Sequence, residues 1–111
     1  NINPFITGDG EQRRDMINVE DVVAANIFAM EHKESFNGQH FDIGTGQNIS
    51  LNEIKELVLK HHPGVTFDYV APRAGDVLLT RGDIEPLKKL GWSASIEIEE
   101  GIEDCFRRLI K

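Results

Sequence analysis

The chain reads as a small mixed α/β domain of about three short strands and four helices. Three observations carry that expectation. Runs rich in β-branched and aromatic residues alternate with runs of helical periodicity. Two helix starts carry their own capping residues, at Asn18 and at Ser50. Pro and Gly clusters mark the boundaries between these runs. The expected order is strand, helix, strand, helix, strand, helix, helix. No repeat, low-complexity tract or linker interrupts it, so residues 1–111 form one domain with room for one core.

Taken in order, residues 1–7 are expected to be extended, with Ile2, Phe5 and Ile6 as apolar anchors, and Gly8-Asp9-Gly10 turns the chain. Asp15 to Val19 alternates weakly and predicts a short strand. Asn18 stands at a helix N-cap, with Glu20 and Asp21 in the first turn. Val19, Val22, Val23, Asn26, Ile27 and Met30 fall at helical spacing, and the interspersed alanines favour a helix to about His32. Asn37-Gly38 is a turn. Gln39 to Ile43 alternates with period two and predicts a strand, with Phe41 and Ile43 on one face and Gly44-Thr45-Gly46 at its end. Ser50-Leu51-Asn52-Glu53 is a capping box, and Leu51, Ile54, Leu57 and Val58 line one face of the helix it opens. His61-His62-Pro63-Gly64 stops that helix, because Pro cannot continue it. Val65 to Val70 predicts a strand, followed by a loop from Pro72 to Thr80. Asp83 is expected to cap a short helix through Leu90, closed by Gly91 at C′, with Trp92 plugging the core behind it. Ile98, Ile102, Cys105, Phe106 and Leu109 define the face of a last helix, which places Cys105 in the core.

Composition narrows the function classes. The hydrophobic share is 40% and the charged share 28%, as in ordinary soluble domains. No apolar run is long enough to span a membrane and no leader is visible. A single Cys excludes an internal disulfide, and the cytoplasm is the default compartment. The net charge of −7 argues against nucleic acid as a partner, while a small anionic ligand needs only local positive charge. The chain opens on Asn rather than Met, which suggests a piece of a longer protein.

Two loops repeat one chemistry. Pro72-Arg73-Ala74-Gly75-Asp76 offers a planar Arg fork, a flexible Gly and a carboxylate, and Gly8-Asp9-Gly10 leads into Arg14-Asp15. Arg14 and Arg73 suit the two sides of a diphosphate. The alternative is that Arg14 pairs with Asp15 and Arg73 with Asp76 on the surface. Asp76 takes a ribose or sugar hydroxyl, or caps a turn. Gly44-Thr45-Gly46 is half of a dinucleotide fingerprint, with Asp68 near the distance of the ribose acid. Ile49 stands at the third glycine and the helix starts only at about Ser50, so a tight turn is expected there and no cofactor site. Tyr69 is followed by Pro72 and Arg73, not by a Lys on the same helix face. His32, His40, His61 and His62 lack the neighbours of a metal site. No catalytic residue and no metal ligand is expected within the chain.

In this order and spacing, a longer series of residues resembles the C-terminal part of the extended short-chain dehydrogenase/reductase family, the nucleotide-sugar epimerases and dehydratases. The series covers nearly the whole chain. It runs from Gly8-Asp9-Gly10 with Gln12 through Arg14-Asp15 to Val19-x-Asp21-Val22-Val23-x-Ala25. Phe41-Asp42-Ile43-Gly44-Thr45-Gly46 and Ser50-x-Asn52-Glu53 follow. Pro72-Arg73-x-Gly75-Asp76, Asp83, Leu90-Gly91-Trp92 and Glu100-Gly101 complete it.

The resemblance implies that Arg14 and Arg73 hold the substrate diphosphate and that Asp76 hydrogen-bonds the nucleotide ribose. Arg-x-Gly-Asp is similar to the UDP-sugar 4-epimerase form of this loop, which implies a UDP-glucose or UDP-N-acetylglucosamine substrate. The alternatives are a 4,6-dehydratase, decarboxylase or reductase, or a free-standing module that binds a nucleotide or a protein. Met16 replaces the usual aromatic after Arg-Asp, and Asn18 the usual Tyr or His, which leaves the sugar open. The family's NAD loop and its Ser and Tyr-x-x-x-Lys set lie in an N-terminal Rossmann half that this sequence does not contain. The resemblance therefore implies a substrate-binding domain that holds no NAD itself and is inactive alone. Self-association to a homodimer through an exposed apolar face is the accompanying expectation.

Overall fold

The computed structural model describes residues 2–109; Asn1, the first residue of the expected extended segment, lies outside them. The fold is a small mixed α/β arrangement with four helices and short strands. Strand β1 (Phe5–Thr7) pairs in parallel with β4 (Asp68–Val70), setting Ile6 opposite Tyr69. Strand β2 (Arg13–Arg14) pairs antiparallel with β3 (Ile49–Ser50). Along its other side lies the 78–80 segment. There the Arg13 amide donates to the Leu78 carbonyl at 2.8 Å, and the Thr80 amide donates to the Arg13 carbonyl at 3.0 Å. β2 is thus the middle ribbon of a three-ribbon patch.

Helix α1 (Val19–Glu31) starts as expected, with the Asn18 side chain accepting the Glu20 amide at 2.8 Å. Helix α2 (Leu51–His61) starts on Ser50, whose hydroxyl accepts the Glu53 amide at 3.1 Å. Asn37, at φ 52°, and Gly38, at φ 78°, form the expected turn. Helix α3 (Glu85–Lys89) differs by one residue from expectation. Its N-cap is Ile84, and Asp83 accepts the Glu85 amide from just outside the helix. Pro86 in the first turn has no N–H for a side chain to cap. Gly91, at φ 106°, follows the C-cap as expected. Helix α4 (Ile98–Leu109) closes the described chain.

Four further expectations are corrected. The strand expected at Asp15–Val19 lies earlier, at Arg13–Arg14. Asp15 turns its carboxylate to another loop and Asn18 already caps α1, so only the two arginines are free to pair. Gln39–Ile43 forms no strand. Alternation marks a face, but a ladder needs a neighbouring strand, and among the described residues none pairs with it. Phe41 instead meets the Phe36 ring edge-on at 5.2 Å. Cys105 is exposed, not core. α4 packs against α2 through rings such as Phe106 on His61, stacked at 5.0 Å, and Cys105 falls outside that contact. The strand expected at Val65–Val70 is confined to its last three residues, matching the length of β1.

The core is thin. Ile6, Ala25, Leu57 and Leu87 are the buried apolar residues among those described. The extents are 51 × 38 × 19 Å, a slab. Its radius of gyration is 16.8 Å, against about 13 Å for a compact domain of this length. α1 shows why. It buries Asp21 and Ala25, while Val19, Val23, Ile27 and Met30 stand on the outside, Met30 at 83% exposure. The residues at helical spacing therefore mark chiefly the outer face of α1, not the one that packs within the slab.

Candidate functional site

β2 presents Arg13 and Arg14 to opposite sides of its patch. Arg13 is committed to structure. Its guanidinium donates to the Asn48 side chain at 2.8 Å, to the Asn48 carbonyl at 3.0 Å and to Glu53 at 2.8 Å, tying β2 to the start of α2. The Arg13 hydrogen bond is the main cause that lowers the Glu53 pKa. Arg14 is half-buried and donates only to the Arg13 carbonyl, at 2.9 Å, with no ion pair among the described residues. It lines a shallow depression with Met16, Thr45, Ile49 and Glu97. The charge of Arg14 is therefore unspent.

The surface pairing of Arg14 with Asp15 does not form, because Asp15 is fully used elsewhere. Its carboxylate accepts the Thr45 amide at 2.9 Å, the Thr45 hydroxyl at 2.7 Å, the Gly46 amide at 3.1 Å and the Gly82 amide at 3.1 Å. Burial pushes the Asp15 pKa up. The hydrogen bonds from Thr45, Gly82 and Gly46 outweigh it, and the net direction is down. Gly44 has to be glycine here, since a Cβ would sit 2.7 Å from Asp15 Oδ2. The glycine-rich turn thus holds a carboxylate of its own chain.

The second loop is more open. Arg73 pairs with Asp76 at 3.2 Å, with the Arg73 side chain 72% exposed. The Asp76 amide returns to the Arg73 carbonyl at 3.3 Å, through Gly75 at φ 84°. The other Asp76 oxygen accepts the Thr7 hydroxyl at 3.3 Å. Asp76 faces an open groove of about 440 Å³, walled by Thr7, Gly8, Gln12, Val70 and Pro72. Buried Gln12 braces that wall by donating to the Thr7 carbonyl at 2.7 Å.

The structure brings Arg73 and Asp76 together and sets Arg14 in a separate depression. The hydrogen-bonded ribbon from Arg13 through residues 78–82 connects them. Tyr69 is occupied otherwise: its hydroxyl donates to Asn52 at 2.6 Å, beneath Lys55. No cluster of metal-ligating side chains occurs among the described residues, and no described helix is long and apolar enough to cross a membrane. Sequence reasoning named Gln12 and Asp15 but gave neither the role seen here, Gln12 bracing the groove wall and Asp15 joining two distant loops. The available signal for Asp15 was a carboxylate in one loop facing a Gly-Thr-Gly turn in another, both in need of partners.

Residues 3–44 match the family model described as NAD dependent epimerase/dehydratase family. A putative UDP-glucose 4-epimerase of Methanocaldococcus jannaschii is 38% identical over 105 residues, spanning 93% of this chain and 33% of that protein. A CDP-abequose synthase of Salmonella muenchen is 37% identical over 97 residues, spanning 83% of this chain and 32% of that protein. The chain thus spans about a third of the length of the curated relatives it matches. Among solved structures, the UDP-glucose 4-epimerase of Thermotoga maritima with UDP-glucose superposes with a TM-score of 0.85 at 34% identity, over 98% of this chain and 36% of that one.

Proposed function

This chain belongs to the NAD-dependent epimerase/dehydratase family, and on that premise we propose that it is the substrate-binding part of an enzyme acting on nucleoside-diphosphate sugars, of the UDP-sugar 4-epimerase type. The single observation that carries the reading is the pairing of Arg73 with Asp76, a residue that lines a groove, on a loop joined by one hydrogen-bonded ribbon to the strand that bears Arg14. In this reading Arg14 and Arg73 clamp the diphosphate, releasing Asp76 from its ion pair to take a ribose hydroxyl. An Arg fork gives each phosphate contact two parallel donors, which a neutral sugar would not need.

We propose that NAD is held outside these residues. The one glycine-rich turn before a helix has its Thr45 and Gly46 amides on Asp15, where a pyrophosphate would need them. We therefore assign NAD, its hydride chemistry and the catalytic residues to the remaining two thirds of such a protein. The outer face of α1, with Val19, Val23, Ile27 and Met30, is the surface we assign to packing against that dinucleotide-binding part. We place the enzyme in the cytoplasm, where a lone exposed Cys105 stays reduced.

The relative that carries the name CDP-abequose synthase favours a second reading, in which the same clamp serves a different conversion of a different nucleotide sugar. Product analysis on a reconstituted enzyme separates the two. The clamp itself is tested by an amide-shift NMR titration of the chain with UDP, repeated on Arg14→Ala and Arg73→Ala. Saturable shifts near both arginines, moved to higher UDP concentration in both variants, are expected. Shifts that persist unchanged in both would overturn the assignment. A dimer in light scattering, dispersed by Ile27→Lys, would mean that a second copy covers α1.

A further inference from the structure

We propose that Asp15 is the positioning residue of the diphosphate clamp, holding both arginine-bearing segments in register. The proposal rests on the clamp reading above and deepens it. Asp15 follows Arg14 directly, yet its carboxylate reaches away to two distant loops. Through Thr45 and Gly46 it fixes the turn that walls the Arg14 depression. Through Gly82 it fixes the far end of the ribbon whose near end leaves the Arg73–Asp76 loop. The ribbon is already bonded to β2 at Leu78 and Thr80, and the Thr80 hydroxyl takes the Asp15 amide at 3.3 Å. Asp15 therefore closes a ring: beside the β2 backbone bonds, its carboxylate ties the residue next to Arg14 to the Thr45 turn and to the 78–82 ribbon that leads from the second arginine loop.

Gly44 and Gly82 both lie against that carboxylate, and the approach is close only at Gly44. A Cβ at Gly44 would lie 2.7 Å from it, and one at Gly82 3.5 Å. At the first position any Cβ would push the carboxylate out of its hydrogen-bonded place.

The experiment compares UDP and UMP binding to the full chain by amide-shift NMR, in wild type, Asp15→Asn, Arg14→Ala and the double variant. Asp15→Asn is expected to weaken UDP binding about tenfold while changing UMP binding much less. The double variant is expected to be no weaker than Arg14→Ala alone, since the positioning residue has nothing left to position. Thr45→Val, which removes one bond of the four, is expected to show a smaller loss in the same direction, and stands in for Asp15→Asn if that variant is unfolded. Equal UDP affinity in wild type, Asp15→Asn and Thr45→Val would overturn the proposal and leave the clamp standing. So would equal losses for UDP and UMP, or additive losses in the double variant, which mark a general structural role. Absence of saturable UDP binding to a folded wild type would instead sink the clamp reading, and this proposal with it.

Discussion

The two arginine-bearing segments are held in opposite ways. Arg14 sits on β2, which is bonded on both edges and anchored by the four hydrogen bonds to Asp15. Arg73 sits on a loop, and among the described residues its guanidinium pairs only with Asp76, in an exposed ion pair. The first segment is preformed. In the proposed clamp the second would exchange its internal partner for a ligand, at little cost because exposed ion pairs contribute little. In the proposed clamp, Arg14 would be the fixed jaw and Arg73 the adjustable one.

The largest effect expected from breaking this contrast is at Asp15. Asp15→Ala strands three backbone amides and a hydroxyl, and is expected to destabilise the chain by about 3 kcal/mol in urea unfolding followed by circular dichroism. A loss under about 1 kcal/mol would mean that the fixed jaw is not fixed by this residue. The same contribution has a predictable pH dependence. The folded chain favours ionised Asp15, so the stabilisation is complete above the ordinary value of 3.8 and disappears as pH falls through the lower folded value. The stability difference between wild type and Asp15→Asn is expected to narrow steadily as the pH is lowered below about 4.

Next in size is Ser50, which pairs with Arg13 across β3 and caps α2. Ser50→Ala is expected to cost about 1 kcal/mol, since it removes the bond to the Glu53 amide at the start of the helix that anchors Arg13. Unchanged stability would show that the Arg13 ties, not the cap, hold the platform.

What could be read from the sequence follows the reach of each interaction. The caps at Asn18 and Ser50 act over two and three residues, so the local sequence states them. Gly91 likewise closes α3 through its own backbone angle. Asp15 acts over 30 to 67 residues, and next to Arg14 it looked like a local ion-pair partner. Gln39–Ile43 carries a strand pattern without a neighbour to pair with, which no pattern within the segment can reveal. For α1 the periodicity was visible, but not that the apolar stripe faces out of this slab, because nothing in the spacing says which side another part of the protein covers. Arg73 and Asp76 were legible as a pair because a tight turn brings residues three apart together.

Arg73→Ala gives the smallest expected effect on stability and the sharpest form of the comparison. Its side chain is 72% exposed and its one ion pair spans three residues of a loop. The urea midpoint is expected to move by no more than the equivalent of about 0.5 kcal/mol. Asp76 keeps its bond from Thr7 in that variant, so the groove wall survives the loss. A loss of UDP shifts without a loss of stability would separate the adjustable jaw from the fixed one in a single variant. A stability loss as large as that of Asp15→Ala would mean that the loop is part of the scaffold, and the two arginines would then be held alike.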